Sequence, residues 1–447
     1  MRLHMSDHPV FTYQTRPILL GEQSLVLDAY ADLYGRVERC LFAAMQAGGK
    51  LNNLKREFLP RFGITARQFN AVRFGLDGKI DSIQKRRPDL IAEAQTKIKK
   101  AIKVIAKLTG KKTVRGDKLH QKKRRLCTMQ SRLSHLQADQ TFGKTRMCFG
   151  SKKLFHAQYA LEANGYASHQ EWQQDWRSER SSQFFVLGSK DESAGCQGCQ
   201  AAVAADGSLS MTLRLPDAMV SQDKYLTLTG IRFAYGHREI VAALSTSQRI
   251  SSQTKTGVAT VKRTGTALSY RFVRDGKGWR IFVSCEAQAV AVKTNWAMGA
   301  VGMDADHLAV SETDRYGNLV ATRKIALVTY GKSSDQAKAL IGDAVVSIVE
   351  QARHTGKPVV IEKLNFQKKK AELETVNRKQ ARMLSSFSCN KVASFMKAAA
   401  FRAGVEVIEV NPAYTSVIGA VNHAQRNGIS VHQGAAFVIG PSRFGFV

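Results

Sequence analysis

The feature that most restricts the fold lies in the last third of the chain, where short apolar runs and amphipathic stretches follow one another in a definite order. Ala300 to Met303 reads as a strand, Leu308 to Thr313 as a second, Tyr316-Gly317-Asn318 as a turn and Leu319 to Ala326 as a third strand. Ser333 to Gln336 has the form of a capping box, in which a hydroxyl and an amide satisfy the free backbone groups at a helix start. Ala337, Leu340, Ile341, Ala344, Val345, Ile348, Val349 and Ala352 then keep helical spacing, and Gly356 and Pro358 end that helix. Val359 to Glu362 is the next strand. A helix from about Phe387 to Ala403 is ended by Gly404, Val405 to Val410 forms another strand, and a last helix starts near Ser430. The pattern predicts an α/β domain over residues 298–447.

Two of these strands deliver carboxylates. Val301-Gly302-Met303 leads into Asp304, and Val359-Val360-Ile361 leads into Glu362. Acids at strand ends can share a divalent metal ion, the arrangement that metal-assisted phosphodiester cleavage needs. Three strands, helix, strand, helix, strand, helix is also the order of the RNase H-like nuclease fold, in which such acids meet over metals. Each acid has a plainer role open to it: Asp304 as a turn carboxylate capping amides, Glu362 as the partner of Lys363. Asp306 is a spectator two residues on, and Glu312 and Glu409 are lesser candidates on apolar strands.

The rest of the chain is strongly basic. A net charge of +31 over 447 residues steers a protein toward polyanions and makes affinity salt-dependent. The excess clusters between Lys97 and Arg125, at Lys99, Lys100, Lys103, Lys107, Lys111, Lys112, Arg115, Lys118, Lys122, Lys123, Arg124 and Arg125, opposed only by Asp117. Ile98, Ile102, Ile105 and Leu108 give part of this segment an apolar stripe. One face in a core and the other on phosphate fits both patterns, whereas a merely solvated helix would mix signs. A second group, Lys368, Lys369, Lys370, Arg378, Lys379 and Arg382, follows Glu362 and suits the guiding of a DNA strand, or simply an exposed loop.

The length suggests roughly three domains. Val10 to Thr15 reads as a strand. Tyr30, Leu33, Tyr34, Val37, Cys40, Leu41, Ala44 and Met45 then mark a helix, and Thr65-Ala66-Arg67-Gln68 caps another. Past residue 140 the pattern alternates: Met211 to Leu215, Tyr225 to Leu228, and a hairpin of Ser269–Val273 and Trp279–Val283 about Asp275-Gly276-Lys277-Gly278. This predicts a small antiparallel barrel or sandwich. Tyr13, Tyr225, Phe233, Tyr235, Tyr270 and Trp279 can stack on bases there, though aromatics in small β domains are mostly core. Seven scattered cysteines indicate reduced thiols. Cys196-Gln197-Gly198-Cys199 lacks the two further ligands a structural zinc needs, so it reads as a loop and zinc is not expected. No apolar run approaches the ~20 residues that span a bilayer and no signal peptide opens the chain, so no membrane partner and a cytoplasmic location are expected.

Over residues 298–447 the chain resembles the RuvC-type nuclease of the TnpB (OrfB) transposon-encoded proteins and the related miniature type V CRISPR effectors. Gly302-Met303-Asp304 is similar to the first motif of that nuclease, Ile361-Glu362-Lys363-Leu364-Asn365-Phe366 to the second, and Val410-Asn411-Pro412-Ala413-Tyr414-Thr415-Ser416 to the segment before the third. The remainder fits more loosely: residues 1–21 as the first strand of a wedge-like β domain, 22–135 as a basic helical recognition lobe, 136–297 as the rest of the wedge. The resemblance implies a prokaryotic RNA-guided DNA endonuclease using Mg²⁺ or Mn²⁺, with guide RNA and target DNA as partners. Where the family has its third acid, this chain has His432, in His432-Gln433-Gly434-Ala435-Ala436. Imidazole can bind a divalent ion, but Mg²⁺ prefers oxygen, so His432 either joins the metal site or only opens a helix. A nuclease-inactive, RNA-guided DNA-binding protein is therefore the alternative. The chain stops at Val447 just as its last helix is due to finish, as a shortened gene would make it.

Overall fold

The structure is a computed structural model. It describes residues 10–110, 116–220, 223–253, 259–287, 299–303, 307–363, 389–411 and 413–440. The chain divides into two compact units, one of residues 9–94 and 123–287, the other built on 95–122 and 288–447.

The first unit joins helices and antiparallel strands around one core. Strand β1 (Val10–Thr15) precedes helices α1 (Gly21–Gln46), α2 (Leu51–Phe62) and α3 (Ala66–Thr109), the last belonging to this unit up to residue 94, and α4 (Gly116–Thr141) belongs to it from residue 123. Thr65 and Gln68 form the expected capping box at the head of α3. The return of α4 is held by Arg87, a buried guanidinium that donates to the carbonyls of Asp139 and Lys144, at 2.6 Å each. Short helices α5 (Lys152–Ala157), α6 (His169–Arg180) and α7 (His237–Ser245) are interspersed with strands β2 (Gln183–Val186), β3 (Cys199–Val203), β4 (Leu209–Arg214), β5 (Tyr225–Ile231), β6 (Ser247–Gln253), β7 (Ala259–Gly265), β8 (Leu268–Asp275) and β9 (Gly278–Glu286).

These strands form three ladders: β1-β9-β8-β2, β3-β4-β5 and β6-β7. The expected hairpin is β8–β9, closed by Asp275 opposite Gly278. The ladders stay open among the described residues, with β1 and the four-residue β2 at the edges of the largest, so the expected barrel is not seen as a closed hydrogen-bonded cylinder. A stack of rings ties α1 to this sheet: Tyr30 lies 4.2 Å from Phe184, which lies 4.6 Å from Phe272. Offset aromatic pairs of this kind add about 0.5–1.5 kcal/mol beyond their burial.

Tyr13, Phe233, Tyr270 and Trp279 are core residues, while Tyr225 and Tyr235 are exposed. Cys196-Gln197-Gly198 forms the expected loop, Cys199 opens β3, and both thiols are fully buried in this core, where burial raises both pKa values.

The second unit carries a five-stranded mixed sheet. Its strands are β10 (Gly299–Met303), β11 (His307–Thr313), β12 (Leu319–Ala326), β13 (Val359–Glu362) and β14 (Val407–Val410), ordered β12-β11-β10-β13-β14. The first three pair antiparallel; β13 runs parallel to β10 and β14 parallel to β13. This 3-2-1-4-5 order with one reversed strand is the RNase H-like arrangement expected from the strand sequence.

Alternation decides what covers each face. Leu308, Val310, Val359 and Ile361 share a core with α8 (Ser334–Thr355) and α9 (Cys389–Ala403). Val360 instead meets Ile439 of α10 (Val431–Ile439). The expected α8 stripe holds except at Leu340, which is 38% exposed because the helix buries Ile341 and Ala344 beside it. Capping boxes start α8 at Ser333 and α10 at Ser430, each closed by the glutamine three residues on.

Helical segment 415–427, π-helical over Gly419–Ala424, packs across α10. The two meet at glycines: a Cβ on Gly434 would lie 2.6 Å from the carbonyl oxygen of Gly419, and one on Gly419 would lie 2.4 Å from the amide of Ala435. Alanine normally stabilises a helix interior by about 1 kcal/mol over glycine. Here Gly434→Ala is expected to destabilise by roughly 1–3 kcal/mol, because backbone must move to admit the methyl. A lowered unfolding midpoint in denaturant would show it; a raised one would mean the helices are free to part.

Candidate active site and nucleic-acid interface

The C-terminal ends of β10 and β13 and the start of β11 emerge at one edge of the sheet, because β10 and β13 are parallel and β11 is antiparallel to them. Glu362 is the last residue of β13. It stands opposite Val410 in register, and the next amide, Lys363 N–H, donates to the Val410 carbonyl at 2.8 Å. Its backbone is therefore held one residue past the end of the strand. Alternation places Glu362 on the face of Val360, the face that α10 covers.

His307, the first residue of β11, alternates with Leu308 and so belongs to the same α10 face. It is only 3% exposed. His432 lies in the first turn of α10, two residues after the cap Ser430, and its ring meets that of His307 edge to face at 5.2 Å. Helix start and imidazole contact are thus combined in one residue. Gln433, the capping residue of that turn, also donates from Nε2 to Thr322 Oγ1 of β12 at 3.2 Å, which pins the turn to the sheet.

Sheet geometry gives the span of this edge. Glu362 and His307 are separated by two strand spacings and about two residues along the strands, so their Cα atoms lie roughly 12 Å apart. Asp304 follows directly on Met303, in the sequence between β10 and His307. It falls outside the described residues, as do Asp306, Lys111, Lys112, Arg115, Lys368, Lys369, Lys370, Arg378, Lys379 and Arg382. Among the described residues, no group of three or more His, Cys, Asp or Glu side chains comes close enough to hold a metal ion.

The two lesser acids are committed elsewhere. Glu312 stands opposite Gly299, at the far end of β10, where Lys357 pairs with it and Gln351 donates to it at 3.0 Å. Glu409 stands opposite Ile361, on the α9 face, and pairs with Lys397 of α9 at 2.6 Å. Tyr414, in the segment after β14, adopts a left-handed backbone (φ 65°) and leaves its ring 78% exposed.

His307 is the site-edge residue that sequence reasoning missed. Its signal was present: a titratable side chain three residues after Asp304, on the alternate face of the apolar run Leu308 to Thr313.

Of the basic candidates on α3 and α4, Lys99, Lys103, Lys107, Lys123, Arg124 and Arg125 are exposed, and Lys100 and Lys122 are half-buried. Ile98 is buried, but Ile102 is 48% exposed and Ile105 and Leu108 are half-buried. The expected apolar stripe is therefore only partly covered, because basic residues surround it on a helix of 44 residues. No described helix is long and apolar enough to cross a membrane.

No known protein-family profile matches the chain, and no curated protein matches it in sequence. Among solved structures, the chain is similar to T. thermophilus RuvC in complex with Holliday junction substrate, at 14% identity and a TM-score of 0.24, over 33% of this chain and 96% of that one. It is also similar to the Cas12f1-sgRNA-target DNA complex, at 9% identity and a TM-score of 0.25, over 98% of this chain and 99% of that one. Both superpositions are loose, and it is the strand order that identifies the fold of the second unit.

Proposed function

We propose that the protein is an RNA-guided, metal-dependent DNA endonuclease of the TnpB type, with its cleavage site at the edge where β10, β11 and β13 meet. The observation that carries this reading is the common edge and face of Glu362, His307 and His432 on a 3-2-1-4-5 sheet. Asp304, Glu362 and His432 would hold the divalent ions, Mn²⁺ or Mg²⁺. When bound, such ions activate water and stabilise the leaving oxygen of an in-line displacement. The chain's own part is positional. The last rung of β13 holds Glu362, the capped first turn of α10 holds His432, and buried His307 meets the His432 ring edge to face.

The basic helical lobe of residues 22–135, with Lys99, Lys100, Lys103, Lys107, Lys111, Lys112, Arg115, Lys122, Lys123, Arg124 and Arg125, would hold the RNA and the heteroduplex by their phosphates. Lys368, Lys369, Lys370, Arg378, Lys379 and Arg382 would lead the DNA strand to the site. The test is to purify the protein with co-expressed RNA, sequence that RNA, and assay cleavage of a matching duplex. An enriched guide and matched cutting support the reading; heterogeneous RNA removes it.

One observation favours a second reading, a binding protein that does not cut. The third donor is an imidazole turned against another imidazole, where an acid would suit Mg²⁺. The part His432 plays is read from metal preference. His432→Asp is expected to tighten Mg²⁺ binding by about tenfold relative to Mn²⁺, since oxygen replaces nitrogen in the donor set. Isothermal titration with each ion reads this without any cleavage assay. An unchanged Mg²⁺ to Mn²⁺ ratio would place His432 outside the metal site.

A further inference from the structure

A cleft of about 870 Å³ in the first unit has no part in the site described above. It lies between α1, α3, the segment of Met147 to Gly150, and β2 with the end of α6 before it. Its volume is at the upper end of the range for small-ligand sites. Three features give it a chemical character.

The first is room. Gly75 and Gly78, which carry no side chain, and Ser82, which carries a small one, line the cleft from α3, and a Cβ on Gly78 would meet nothing within 4 Å. Glycine inside a helix is unfavourable, so the opening is maintained against helix propensity. The second is aromatic surface. Phe74 is exposed at the cleft and Phe149 is half-buried there. The third is charge. Arg180 and Arg271 line the cleft, and Arg39 lies against the Arg180 carbonyl, its Nη1 at 3.4 Å. Burial first, then Arg39 and Arg177, hold the Arg180 guanidinium below its ordinary pKa. Glu38 on the wall is only 5% exposed and is already paired with Lys79 at 2.6 Å, so it offers a fixed acceptor beside a fixed donor.

A flat aromatic-faced ligand carrying an anion satisfies all three features. We infer that this cleft takes one unstacked nucleotide of a bound nucleic-acid strand, its base against Phe74 and Phe149 and its phosphate toward Arg180. The inference rests on the proposed nucleic-acid binding and adds a site to it. Stacking on an aromatic side chain with a cation nearby is how single strands are held without sequence readout.

The full-length protein, washed free of RNA in high salt, is titrated with fluorescein-labelled single-stranded 12-mers, one RNA and one DNA. Gly78→Leu places a side chain in the cleft one helical turn from Phe74, where the base would stack, while improving helix propensity, so folding is not at risk. It is expected to weaken binding of at least one oligomer about tenfold, the scale of losing one stacked base, with an unchanged or raised melting temperature. Which oligomer is affected identifies the strand. Cys148, which lines the cleft, gives an independent readout: saturating oligomer is expected to slow its alkylation at least about fivefold, by peptide mass mapping, as a filled site excludes the reagent. Parent-like binding of both oligomers by Gly78→Leu, or unprotected Cys148, overturns the cleft while leaving nucleic-acid binding intact. A parent protein that binds neither oligomer overturns both.

Discussion

Glu362→Gln is expected to reduce metal-dependent cleavage of a matched duplex by about 10³-fold or more, with RNA binding and melting temperature close to those of the parent. The change keeps the shape of the side chain and removes its charge. The backbone at the end of β13 is held by pairing with Val410 and by the Lys363 amide, and the face beneath is Val360 against Ile439. What is lost is a carboxylate at the one edge where β10 and β13 end together.

Glu409→Gln supplies the matched control. It lies one residue back on the neighbouring strand but on the opposite face, paired with Lys397. Removing that pair is expected to cost stability of about 1 kcal/mol or less and to leave the rate within about twofold. Single-turnover cleavage by the three proteins, with melting curves, checks both outcomes. If Glu362→Gln cuts within a few fold of the parent, the edge is not the cleavage site. A parent that binds the matched duplex and leaves it whole, with Mn²⁺ present, selects the binding-protein reading.

The strands of the second unit were legible because each is a short apolar run bounded by turn residues. Val359–Glu362 and Leu319–Ala326 coincide with their expected limits, and β10 and β11 each begin one residue earlier. That single residue at the head of β11 is His307, and it explains why the imidazole pair went unseen: strand parity, which puts His307 on the α10 face, matters only once the residue is inside the strand. Pairing was less accessible than strand existence. β1 joins β9, with Val10 opposite Glu286, and no local pattern reports so distant a partner. Helix α6 was missed for a different reason. It is polar nearly all round and buries only Trp172, so it has no apolar stripe to find. Glu312 and Glu409 looked like site candidates because apolar strands carry them. Their ion pairs with Lys357 and Lys397 arise from helix packing that the strand pattern does not contain.

Neutralising Lys99, Lys103, Lys107, Lys123 and Arg124 together to glutamine is expected to weaken binding of the co-purifying RNA by about 10²–10³-fold near 100 mM salt. All five are exposed on α3 and α4, and Lys100 and Arg125, which have partners within the protein, stay in place. Glutamine matches lysine and arginine in helix propensity, so the helices should persist. The discriminating quantity is the salt dependence. Each cation on a phosphate adds about 0.7 to the slope of log affinity against log salt for single strands and about 0.9 for duplex, so neutralising five of them lowers it by about 3.5–4.5. A protein that binds only through its overall field would behave otherwise. With +31 at the start, removing five charges leaves a strongly basic chain, and a diffuse field acting beyond the Debye length of about 10 Å is already screened at this salt. Its affinity would fall only a few fold, with the slope barely changed. Filter-binding or anisotropy titrations from 50 to about 300 mM salt span the range where these two slopes diverge by orders of magnitude in affinity. A flat difference across that range would mean that the exposed cations of α3 and α4 face solvent, and that the RNA is held elsewhere on the chain.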